Sequence, residues 1–148
     1  KGASVLNEFC QEHGYTSTHL GREFLASNPT DDNYTSASDC CRLLSDIYSG
    51  TMVNADASAD MLALLKAQTR TGKIPSGVPS GVETANKTGE LSAGDGLGIV
   101  ENDIAIVFDK EHPYVLCVLS NNIQNNSSAQ ETIKNISADV YQYMTSRK

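Results

Sequence analysis

The 148 residues predict an α+β domain, an antiparallel sheet flanked by helices. Three observations carry that expectation. Apolar residues recur at helical spacing early in the chain and again at its end. Between those stretches lie three consecutive strand-like runs, Glu83–Leu91, 98–108 and 113–121, joined by turn-rich connections. Helices precede and follow the strands rather than alternating with them, and that order favours a segregated α+β arrangement over a parallel sheet. With three strands the sheet is small, and the helices are expected to one side of it. The length suits one domain or part of one. No apolar run approaches the roughly 18 residues of a membrane-spanning helix. A net charge of −7 without a basic patch argues against nucleic acid as a partner and for solubility.

Residues 3–13 read as a helix with Val5, Leu6 and Phe9 as its stripe and Gly14 just past its end. A loop rich in Ser, Thr, Asn, Asp and Pro runs from Tyr15 to Tyr34. Thr35 or Ser36 caps the next helix, Ser36-x-x-Asp39 being a capping-box variant. Cys40, Leu43, Leu44 and Ile47 form its apolar face, and Gly50 ends it. Asn54 or Asp56 caps a third helix through about Gln68, with the stripe Met61, Leu64, Leu65 and Gln68. Residues 70–82 read as a Pro/Gly linker. Ser92–Gly98 connects the first two strands, and its Gly94-x-Gly96-x-Gly98 pattern lacks the strand–loop–helix context of a phosphate loop. Lys110, Glu111 and Pro113 mark the next turn. Ser127 or Ser128 caps a last helix to about Thr145, with Ile133, Ile136, Val140 and either Tyr143 or Met144 toward the sheet.

The cysteines Cys10, Cys40, Cys41 and Cys117 include no Cys-x-x-Cys pair. They read as free thiols behaving as small hydrophobes, and a disulfide between Cys117 and a helix cysteine stays open. His13, His19 and His112 have no metal-ligand spacing. No metal and no cofactor is expected.

The chemistry concentrates in the first strand, in Lys87-Thr88-Gly89. Lys87 offers a cation, Thr88 a hydroxyl, and Gly89 a place where a ligand can approach bare backbone. Strand alternation puts Lys87 and Thr88 on opposite faces, so both serve one ligand only along the strand's edge. An edge also offers free N–H and C=O groups to an amide-containing ligand. An acyl compound carrying a carboxylate fits.

The triplet is preceded by Ile74-Pro75-Ser76-Gly77-Val78-Pro79. It is followed by Gly98-Ile99-Val100-Glu101-Asn102-Asp103-Ile104-Ala105-Ile106-Val107 and by Pro113–Asn121, and Tyr34–Asp39 opens a helix upstream. In this order the chain resembles the C-terminal half of the serine β-lactamase and penicillin-binding-protein superfamily, closest to class A β-lactamase-like enzymes. That family carries Ser-x-x-Lys, Ser-Asp-Asn and Lys-Thr-Gly motifs. No serine here has a lysine three residues later, and the one Ser-x-Asn, Ser120-Asn121-Asn122, follows a strand. The resemblance therefore implies a β-lactamase/transpeptidase-like fold that is incomplete in residues 1–148. By this resemblance they are the C-terminal portion of the domain, starting just after the point where the second motif would lie.

The resemblance also implies roles. Lys87 would hold a proton network and attract a substrate carboxylate, to which Thr88 would donate beside Gly89. The Glu90 N–H would be one oxyanion-hole donor. Glu23 is the candidate deacylation base in the omega-loop region. The Arg22-to-Asn28 spacing resembles the family's, but Glu23 sits one residue early, where Phe24 takes the expected place. The complete enzyme would open β-lactams through an acyl-serine intermediate, this chain alone being inactive. The alternatives are a penicillin-binding D-Ala peptidase and a non-catalytic cell-wall or β-lactam binding module. Implied partners are a β-lactam or D-Ala-containing peptide and the N-terminal portion of the same domain or a swapped copy. The implied location is extracytoplasmic.

Overall fold

The computed structural model describes residues 2–23, 26, 30–91 and 99–146. The elements run α1 (Gly2–Glu12), α2 (Ala37–Tyr48), α3 (Ala55–Lys66), α4 (Ile74–Gly77), β1 (Glu83–Leu91), β2 (Val100–Phe108), β3 (Tyr114–Val118) and α5 (Asn126–Ser146). The strands form one antiparallel sheet in the order β1-β2-β3. The α+β class is as expected. Phe24, Asn28 and the Ser92–Gly98 connection lie outside the described residues.

Helix ends follow local chemistry. Gly14, at φ 78°, lets the chain leave α1 while the Tyr15 N–H reaches the Cys10 carbonyl at 2.7 Å. Ser36 caps α2, its hydroxyl accepting the Asp39 N–H at 3.1 Å. Asp39 does not complete a reciprocal box. Its carboxylate accepts the Ser17 N–H at 2.9 Å and the Thr18 hydroxyl at 2.7 Å, tying the long loop to α2. Asn54, not Asp56, caps α3 by accepting the Ala57 N–H at 2.8 Å. Upstream of the expected serines, Asn125 accepts the Ser128 N–H at 2.9 Å at the start of α5.

Strand alternation divides the sheet into two faces. On one, Ala85, Ile104, Ile106, Phe108, Val115 and Cys117 pack with Leu44 and Ile47 of α2 and Leu62 and Leu65 of α3. On the other, Ala105, Val107, Leu116 and Val118 pack with Ile74 of α4 and Ile133 and Tyr141 of α5. Helices thus cover both faces, a correction to the one-sided arrangement expected. The physical reason is visible in β2, whose inward residues on both rows are apolar over its second half. Fully burying side chains such as Leu44, Ile74, Ile106 and Ile133 stabilises by about 1.5–3 kcal/mol each.

Two stripes also need correction. Leu64 and Leu65 lie about 100° apart around α3, and only one can face the sheet. Leu65 packs with Met61 and Leu62, while Leu64 is 75% exposed. In α5 the inward row is Ile133, Ser137 and Tyr141, with Ile136 and Tyr143 exposed. A serine occupies the centre of that row because α4 comes close there. The Ser137 hydroxyl donates to the Ile74 carbonyl at 2.8 Å. A Cβ built at Gly77 would overlap the Lys134 carbonyl and lie 2.6 Å from the Ser137 Cβ. The segment 70–82 is therefore not a loose linker, since it carries the packed turn of helix Ile74–Gly77.

Candidate active site

β1 is an outer strand, so one row of its backbone N–H and C=O groups has no partner within the sheet. The expected candidates Lys87, Thr88, Gly89 and Glu90 all lie on it. Lys87 and Gly89 share the face of Ala85, opposite Ile104 and Asn102. Lys87 is exposed, and its ammonium donates to the Thr88 carbonyl. Asn86, Thr88 and Glu90 share the other face, opposite Ala105, Asp103 and Glu101. The alternation expected from sequence therefore holds. Thr88 is buried, and its hydroxyl lies beside the Glu90 carboxylate, which it helps to keep ionised. A cleft of about 300 Å³ on this side is lined by Arg70, Gly72, Lys73, Thr88, Glu90 and Gln130.

Beneath Thr88 lies a charged network that sequence reasoning missed. The Lys73 ammonium, with its side chain 5% exposed, ion-pairs with Glu101 at 2.7 Å and Glu90 at 2.9 Å. It also donates to the Asn102 carbonyl at 2.8 Å. Glu101 further accepts from the amides of Asn126 and Gln130, both at 2.9 Å. Asp103 is fully buried, accepting the Asn86 amide and the Ile74 N–H, both at 3.0 Å. Arg70, reaching in from the surface, pairs with Glu90 at 3.1 Å. Burial alone would raise Glu101, but Lys73, Asn126 and Gln130 outweigh it and hold the carboxyl below the usual range. Glu90 is likewise lowered: burial opposes ionisation, and Lys73, Thr88 and Arg70 overcome it. In Asp103 burial wins, and its carboxyl is pushed up despite Asn86 and the Ile74 N–H. The available signal was Glu101 and Asp103 on one strand row with Ala105 and Val107, two acids at positions that must be buried and so need donors.

Glu23 is not part of this cluster, whose members come from 70–74, 86–90, 101–103 and 126–130. It is exposed in the loop after α1, its carbonyl accepting the Ala26 N–H at 3.0 Å. Its neighbour Arg22 pairs with Asp32 at 2.6 Å. The Asn33 side chain accepts the N–H groups of Gly21 and Arg22, both at 3.0 Å. His19 and Tyr34 pair as a bridge, so the loop's two limbs are tied together. Ser120, of the misplaced Ser-x-Asn, donates its hydroxyl to the Glu101 carbonyl and its N–H to the Asn102 side chain at 2.6 Å, which marks it as a strand-end support. Among the described residues no group of three or more side chains could hold a metal ion.

The lowered carboxyls set a pH dependence. Depressed pKa values in the folded state contribute stability above the ordinary glutamate value of 4.5, and that contribution is lost as pH falls through the folded values. Asp103 acts in the opposite sense, weakening the fold as pH rises above 3.8. In thermal melts from about pH 7 to 3, Glu101→Gln should flatten the acid-side fall in Tm and cost about 3 kcal/mol at neutral pH, because it leaves Lys73 under-compensated. Superimposable pH curves for parent and variant would show that the pair contributes nothing to the pH dependence of stability.

A family profile described as the β-lactamase enzyme family matches residues 2–144. Beta-lactamase 3 of Bacillus cereus is 30% identical over 138 residues, covering 89% of this chain and 42% of that protein. Among solved structures, PBP-A is 24% identical with a TM-score of 0.83, over 98% of this chain and 52% of its own. A β-lactamase from Sphaerobacter thermophilus is 20% identical with a TM-score of 0.85, over 99% and 55%. A variant of PBP-A solved as an acyl-enzyme complex with penicillin G is 21% identical, with a TM-score of 0.70 over 96% and 52%. The chain thus spans about half the length of these relatives, and the solved structures share its fold. With an outer Lys-Thr-Gly strand, a sheet between two helical layers and a family match over almost every residue, the chain belongs to the β-lactamase enzyme family.

Proposed function

We propose that residues 1–148 carry the substrate-binding edge of a serine β-lactamase-like hydrolase whose nucleophile comes from outside these residues. The observation that carries this reading is Lys87-Thr88-Gly89 on an outer strand of a chain in this family. A serine hydroxyl of a Ser-x-x-Lys helix attacks the lactam carbonyl, the C–N bond breaks, and the ring nitrogen takes the serine's proton. Water then hydrolyses the acyl ester. Lys87 supplies a fixed cation to the substrate carboxylate and to the proton network. Thr88 donates to that carboxylate, its hydroxyl turning from its neighbour Glu90 to the ligand. The Glu90 N–H is one oxyanion donor, and Gly89 keeps the approach open. No cofactor enters this chemistry. The complete protein works outside the cytoplasm.

A second reading is a penicillin-binding D-Ala peptidase that acylates but deacylates slowly. The exposed position of Glu23, away from the β1 cluster, favours it, as does the likeness to PBP-A. A non-catalytic binding module is the third. Fluorescent penicillin on the full-length protein separates them. Rapid loss of label marks a β-lactamase, persistent label a peptidase, and absence of label a binder.

Three outcomes are expected. Lys87→Ala in the full-length enzyme should lower kcat/KM by about 10²–10³ with Tm nearly unchanged, since the side chain is exposed. Equal activity of variant and parent would sink the assignment. If Glu23 activates the deacylating water, Glu23→Gln should accumulate an acyl-enzyme, seen as a stable mass adduct with a penicillin. Unchanged turnover would place the base elsewhere. The outer edge of β3 and exposed Val5, Leu6, Tyr48 and Leu64 offer a docking surface to the N-terminal portion of the domain or a swapped copy. Light scattering on residues 1–148 alone should then show an unstable or oligomeric species. A cooperative monomer of 15.9 kDa would contradict that partner.

A further inference from the structure

The contact between α2 and β3 brings two cysteines together. Ser45, Tyr48 and Ser49 of α2 border the same cleft as Pro113, Tyr114 and Val115 at the start of β3. Four residues back from Ser45 along α2 is Cys41, a step of about 6 Å. Two residues on from Val115, on the same face of the sheet, is Cys117, a step of about 6.6 Å. The steps match, so the two cysteines fall side by side, close enough for each thiol to act on the other. The adjacent Cys40 is turned elsewhere. Its sulfur lies 3.7 Å from the Thr35 hydroxyl, and with Cys10 it lines a different, apolar pocket against α1. All four cysteines are free in this structure.

We infer that Cys41 and Cys117 are a disulfide-forming pair that clamps α2 to the outer strand β3 when the protein meets an oxidising disulfide. Two S–H bonds are lost and one S–S bond forms. Two electrons pass to the oxidant, a small-molecule or protein disulfide, which leaves as two thiols carrying the two protons. The first thiolate forms a mixed disulfide with the oxidant, and the second displaces the oxidant's remaining sulfur. Burial and the neighbouring Cys41 push the Cys117 thiol well above its ordinary range. The step that needs its thiolate is therefore slow near neutral pH and quickens as pH rises. The bridge would join positions 41 and 117, closing a long loop, the case in which a cross-link removes most freedom from the unfolded chain. It would anchor the strand that pairs with β2 through Ile104 and Ile106.

The test is incubation of the full-length protein with glutathione disulfide, followed by alkylation and peptide mass mapping. The expected result is a Cys41–Cys117 linked peptide that disappears on reduction, together with a Tm about 5–10 °C above that of the reduced protein. Cys41→Ser and Cys117→Ser should each abolish the shift, and Cys40→Ser should keep it. The inference is overturned if Cys117 stays open to alkylation after oxidation, if it links to Cys40 or Cys10, or if both thiols stop at mixed disulfides with glutathione. Because the mapping is read on the unmutated protein, the test stands even where a variant fails to fold.

Discussion

The ammonium of Lys73 is the point on which this architecture turns. A lysine almost withdrawn from water is tolerable only if paired and fully hydrogen-bonded, and here two carboxylates and a carbonyl meet it. Meeting that requirement draws in four separate parts of the chain. The segment before α4 brings Lys73, β1 brings Glu90, β2 brings Glu101, and the first turns of α5 bring Asn126 and Gln130. The segment that looked like a linker is tied down because its lysine cannot leave its partners without stranding the Glu101 carboxylate in a buried site.

This network lies on one face of β1, and Lys87 lies on the other. The strand thus has a supported face and a presented face. Glu90 links them, since its side chain belongs to the supporting network while its backbone is part of the outer strand. Thr88 lies beside the same carboxylate. The electrostatic environment of the Lys-Thr-Gly triplet is therefore set from behind, by side chains such as Lys73 and Glu101 that are almost wholly withdrawn from water.

Much of this was legible in the sequence and some was not. Every strand and every helix but the short α4 was visible, because apolar periodicity and cap residues such as Ser36 and Asn54 report local structure. The Lys-Thr-Gly strand was visible because its chemistry is contiguous. The inward faces of α3 and α5 were partly misread. Leu64 and Ile136 fit an apolar stripe as well as their neighbours do, and only the close approach of α4 explains why Ser137 is the buried residue. The Lys73 network was invisible for a different reason. Its members lie far apart along the chain, and although Glu101 and Asp103 stand on an apolar strand row, only the register Glu90↔Glu101 brings the two glutamates face to face.

The buried pairing of Lys73 with Glu101 also constrains how such a sequence can diverge. Losing either partner alone strands the other in a dry site, at about 3–5 kcal/mol, a large part of a typical domain's stability. Replacing both together by apolar side chains of similar volume can be close to neutral. The two positions form an epistatic lock, one in which each intermediate is less fit than either end. Drift should therefore leave them untouched or change them as a unit, with Glu90 and Gln130 following.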